Sequence, residues 1–147
     1  MRLLLIGMLL AGFGANAMVA QTKTPGPLAS YKSFKCSFPT YATARWTDPP
    51  QASVASQTLT FGINGIDAKK RQASIVGSTV TVPAALVVTQ TGLTVIEQTP
   101  IGNVNITTVF VAGGTGTKFL AVHSRHIGDT SGTPTASQNY GSCDAAQ

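Results

Sequence analysis

Acidic side chains are scarce in this chain. Five Asp and Glu stand against ten Lys and Arg, and charged residues make up only 10% of the sequence. The five carboxylates are widely spaced, so no paired-carboxylate hydrolase site is evident. Cysteine is equally sparse. Cys36 and Cys143 are the only two, with no C-x-x-C spacing and no surrounding Cys/His cluster, which speaks against a redox motif or a zinc site. No G-x-S-x-G nucleophile elbow occurs. The one basic run, Lys69-Lys70-Arg71, reads as a solvated turn. A formal net charge of +5 without a basic stripe is no nucleic-acid footprint. Beyond the amino end no apolar run reaches the roughly 20 residues that a membrane-spanning helix needs. A sustained 3.6-residue apolar period with helix caps is also missing.

The amino end carries what the rest lacks. Arg2 precedes the apolar run Leu3 to Phe13, and Ala15-Asn16-Ala17 follows. A positive start, a short apolar stretch and a small-x-small site together read as a secretory signal peptide over residues 1–17. The mature chain is thus expected in the periplasm or in secretions. Residues 18–30, with two prolines and a glycine, read as a flexible leader. Residues 31–147 are then a single domain, large enough to bury a core.

Thr, Ser, Ala, Val and Gly dominate that domain, and β-branched residues suit a pleated surface better than a helix. Phe34, Cys36 and Phe38 alternate with Ser33, Lys35 and Ser37, the pattern of a half-buried strand. Residues 40–55 contain Asp48-Pro49-Pro50 and read as a loop, with Trp46 a candidate anchor to the core. Asn64-Gly65 is a hairpin signal, and Asn64 to Lys70 reads as a turn after the strand Gln57–Ile63. Short strands follow over 72–76, 79–82, 86–89 and 93–97, with Pro83 marking a boundary or an edge. The clearest local feature is a hairpin. Asn103 to Val111 and Thr117 to Arg125 flank the Gly113-Gly114-Thr115-Gly116 turn. A polar loop over 128–137 and a closing segment, Gln138 to Cys143, complete the chain. The expected fold is all-β, an antiparallel meander forming a small up-and-down barrel, with a β-sandwich as second choice.

Export makes a Cys36–Cys143 disulfide the default expectation. Closing a loop of that length stabilises by about 4–5 kcal/mol in the chain-entropy view.

Both histidines fall in one segment, His123-Ser124-Arg125-His126. On a strand, Phe119, Ala121, His123 and Arg125 share one face, while Leu120, Val122, Ser124 and His126 share the other. Both faces begin apolar and end polar, so the segment is expected at a rim. Parity separates the two imidazoles, which argues against a metal site unless the chain turns after Arg125 and brings in Asp129. It also keeps Ser124 from meeting His123 as a nucleophile. The ligand-binding candidates are His123, Arg125 and His126, with Arg125 offering a bidentate fork to an anion. The structural alternative is that Arg125 pairs with Asp129, Asp144 or a backbone carbonyl and the histidines only cap the strand end by hydrogen bonding. No catalytic residue, metal or cofactor is assigned. Asn105-Ile106-Thr107 has the form of a glycosylation sequon inside a strand.

Phe34-x-Cys36-x-Phe38, Ala44-Arg45-Trp46, Thr107-Thr108-Val109-Phe110, the 121–126 segment and Tyr140-Gly141-Ser142-Cys143 together resemble a family of small secreted proteobacterial proteins. The likeness covers most of the mature chain. It implies export and a disulfide and brings no activity with it. The size, disulfide and meander are also faintly similar to lipocalin-like barrels, but Ala44 stands where the lipocalin Gly-x-Trp motif has its glycine. Three functional readings remain: an exported non-enzymatic module binding a small ligand, a His- or metal-dependent enzyme using His123 and His126, and an inhibitor or stabilising partner of another exported protein.

Overall fold

The computed structural model describes residues 25–128 and 134–146. The signal peptide expected over residues 1–17, the part of the expected leader up to residue 24, and Asp129 lie outside the described residues.

Eight strands account for nearly all of the rest: β1 (Ser33–Arg45), β2 (Gln51–Asp67), β3 (Gln72–Val76), β4 (Thr81–Val88), β5 (Gly92–Gln98), β6 (Val104–Phe110), β7 (Lys118–Ile127) and β8 (Thr135–Ala146). Each pairs antiparallel with its successor, and β8 returns to pair with β1, so one sheet closes into a ring. Among the described residues no helix is long and apolar enough to cross a membrane.

Alternation places one face of every strand inside the ring. Phe34, Cys36, Phe38, Ile63, Leu86, Leu93, Val95, Val109, Ala121 and Cys143 form the buried interior. The expected disulfide is present. Cys36 and Cys143 sit directly opposite in the β1–β8 register and are bonded, with both residues fully buried. The bond joins the first strand to the last at the seam that closes the ring.

One end of the ring is plugged. A single 3-10 turn, Pro27–Ser30, folds across it and inserts Leu28, which is 1% exposed. Tyr31, Phe34 and Phe119 meet edge to face beside it, with ring centroids 5.7–6.2 Å apart. A flexible leader as far as Ser30 was the expectation from composition. Pro at the first turn position and Leu28 in the ring's mouth explain the difference.

The sequence also underestimates strand length. The stretch 40–55 is not a loop. β1 runs to Arg45 and β2 starts at Gln51, so the two form a long ribbon with only residues 46–50 at its tip, and Trp46 is 66% exposed rather than anchored. Asn64-Gly65 makes no hairpin turn. Gly65 takes φ +63° within β2, where the β2–β3 register shifts between Asn64 and Asp67, and the turn follows at 68–71. Pro83 lies inside one continuous β4. Its β5 neighbour begins only at Ala85, so a proline at 83 breaks no β4–β5 hydrogen bond. Gly141 allows β8 to lie close against β1 at a register shift: a Cβ there would stand 2.0 Å from the Ser37 carbonyl oxygen.

Candidate functional site

The end opposite the plug is polar, and the strand register shows why. Glu97 of β5 pairs with Asn105 of β6, which pairs with Arg125 of β7, which pairs with Ser137 of β8. These four inward positions make an upper tier. One step deeper, Val95, Thr107, His123 and Asn139 stand abreast in the same way. Two polar tiers therefore cap the apolar interior on this side.

His123 is the centre of the lower tier and is 6% exposed. Its Nδ1 shares a hydrogen bond of 2.9 Å with the Thr107 hydroxyl. With Thr107 donating, Nε2 carries the ring proton. The imidazole lies against two aromatic rings, 5.0 Å from Phe61 and 5.8 Å from Phe38. Asn139 Nδ2 donates to the His123 carbonyl oxygen. Burial, and secondarily the Arg125 guanidinium, push the imidazole pKa down to about 4, so the ring is neutral at physiological pH.

In the upper tier Asn105 Nδ2 donates to Glu97 Oε2 at 3.0 Å. Asn105 Oδ1 is buried and has no hydrogen-bond partner. A buried acceptor without a donor costs free energy, which a bound group able to donate would recover. Arg125 makes no ion pair among the described residues. Asp144 is remote from it, paired in register with Lys35 and Lys118 near the plugged end.

Above these tiers opens a cavity of about 320 Å³. Glu97, Asn105, His123 and Arg125 supply its polar wall, and Leu59, Phe61, Ile75 and Val80 its apolar wall. The volume is at the small end of the 300–1,000 Å³ usual for ligand pockets. A larger hollow of about 530 Å³ at the β1–β2 tip is lined by Arg45 with hydroxyl and aromatic side chains and holds no carboxylate, side-chain amide or imidazole.

The candidates from sequence thus divide. His123 and Arg125 share the cavity. His126 is exposed on the outer face, beside Ala42, Val54 and Ala136. Among the described residues no three His, Cys, Asp or Glu side chains are placed to hold a metal ion. Sequence reading missed Glu97, Asn105, Thr107 and Asn139. A signal existed. Counting by twos from the buried Leu93, Val95 and Val109 puts Glu97, Thr107 and Asn105 on the inner face. The sequon asparagine is among them: its amide points inward and is held by Glu97, out of reach of a glycosylating enzyme in the folded protein.

Comparison with protein-family models, with curated proteins and with solved structures found no match.

Proposed function

We propose that this chain is an exported, non-catalytic module, a small up-and-down barrel whose open end binds one small molecule. The ligand carries a carboxylate beside a hydrogen-bond donor, with a short apolar remainder. A free apolar amino acid is the simplest such molecule. Arg125 is the fork for the carboxylate. Glu97 and the unpartnered Asn105 Oδ1 receive the donor, and the apolar part lies against Phe61, Leu59 and Ile75. The observation that carries this reading is the unmatched Asn105 oxygen between a carboxylate and a guanidinium in one cavity. An eight-stranded ring is just wide enough to be filled by side chains or to hold one small ligand, and here the interior is filled while the end is open.

The Thr107–His123 contact has the outline of a nucleophile and base, but it supports binding better than catalysis. An imidazole with a pKa near 4 is a weak base at neutral pH, and Thr107 is buried beneath it. Export rests on the amino-terminal pattern, and periplasmic or secreted location follows from it.

The test is thermal denaturation with three probes: leucine, its amide, and 4-methylpentanoate, which lacks the amine. Leucine is expected to raise the melting temperature, the other two to do so much less, and Arg125→Ala to abolish the effect. No shift with leucine or with other apolar amino acids, or a shift that survives Arg125→Ala, would overturn the reading.

A further inference from the structure

The ring is not level. β2 pairs with β3 only from Gly62 onward, whereas its pairing with β1 runs from Gln51. From Gln51 to Phe61, β2 therefore has β1 on one side and, among the described residues, no strand on the other. An unpaired strand edge is a template for another strand, and proteins blunt such edges with charges, prolines or short length. The same molecule shows the contrast. The part of β4 that lacks a β5 neighbour carries Pro83. The free part of β2 carries no proline, and no charged residue occurs between Gln51 and Ile66. Both of its faces are solvated, and Val54 is 74% exposed.

The residue order names the occupant. Gln51-Ala52-Ser53-Val54-Ala55-Ser56-Gln57 is symmetric in residue size about Val54, with Gln at both ends and only Ala and Ser between. We propose that two copies of this chain pair antiparallel along this edge, about a two-fold axis at Val54. Val54 then faces the partner's Val54, Gln51 faces the partner's Gln57, Ala52 faces the partner's Ser56, and Ser53 faces the partner's Ala55. Small residues oppose small ones, the two amide side chains meet at each end, and no like charges are brought together. The interface is isologous, as a closed dimer requires. The sheet then runs unbroken through β8, β1 and β2 of one copy into β2, β1 and β8 of the other. Ala42 and Ala44 lie opposite Val54 and Ala52 in the β1–β2 register, so each copy adds the same small apolar face to the joined sheet. A strand of a different protein would satisfy the backbone equally but would make no use of the size symmetry of this segment about Val54.

Sedimentation equilibrium of the secreted chain is the first measurement. It is expected to give the mass of two chains, dissociating to one on dilution. Val54→Lys sets two ammonium groups opposite each other at the axis and should weaken dimerisation by about tenfold or more, with the melting temperature of the monomer unchanged. Val54→Cys should form an intermolecular disulfide on mild oxidation, whereas Ile101→Cys, on an equally exposed turn, should not. A wild-type chain that stays monomeric at every concentration would overturn the proposal. So would a Val54→Lys protein as dimeric as the wild type, or equal cross-linking of the two cysteine variants.

Discussion

The two ends of the ring solve the same problem in opposite ways. A closed sheet leaves its top and bottom open to water. At one end Leu28 on a short 3-10 turn and the Tyr31, Phe34 and Phe119 rings seal the interior with apolar surface. At the other, Thr107, His123 and Asn139 cover the core with hydrogen-bonded polar groups, and a further tier of Glu97, Asn105 and Arg125 faces a cavity. The sealed end is built for stability. The polar end leaves a buried acceptor unmatched, an arrangement that stability alone disfavours.

Several measurements break or sharpen this contrast. The largest effect is expected at the seam between the ends. Replacing Cys36 and Cys143 together with Ser frees a loop of 107 residues and should cost about 4–5 kcal/mol, read as a lowered urea midpoint. Next comes acid at the polar end. The His123 pKa in the folded protein, about 4, lies below its ordinary 6.5. The unfolded chain therefore binds the extra proton first. Stability should be constant above pH 6.5 and fall as pH drops from 6.5 to 4, by up to about 3 kcal/mol. The difference between wild type and His123→Phe in urea unfolding at pH 7 and pH 4.5 isolates this share from that of the carboxylates. Leu28→Ala at the sealed end should cost about 2–3 kcal/mol at every pH in that range. The smallest effects belong to the rim. His126→Ala should change stability by less than about 0.5 kcal/mol and leave ligand binding intact, while Arg125→Ala should be as stable as wild type but fail to bind. A Leu28→Ala loss that matched the His123 pH profile would dissolve the distinction between the two ends.

How much of this was legible beforehand follows from which forces are local. The β6–β7 hairpin could be read because the Gly113–Gly116 turn and the flanking alternation lie within one short stretch. The disulfide was readable from cysteine count and context. Parity alone put His123 with Arg125 and apart from His126. Other features depended on partners distant in sequence. Thr40 to Arg45 looked like a loop because its strand character comes from pairing with β2 and β8 on either side. Pro83 looked like a boundary because only the late start of β5 pairing makes it tolerable. The inner face of β6 was hidden for a different reason. Val104, Ile106, Thr108 and Phe110 form its more apolar side, yet they face outward, and the polar Asn105 and Thr107 face inward. Hydrophobicity identifies the core side of a strand only where the enclosed space is apolar, and here part of it is a cavity with a polar wall.

The disulfide has a kinetic consequence beyond its contribution to stability. Both sulfurs belong to residues with no solvent exposure: Phe34 and Phe38 flank Cys36 on the inner face of β1, and Phe119 stands opposite Cys143 in the β7–β8 register. A thiol reductant of any strength must wait for the ring to open before it can attack. Reduction of the folded protein thereby proceeds through opening of the seam, and at high reagent concentration its rate levels off at the rate of that opening.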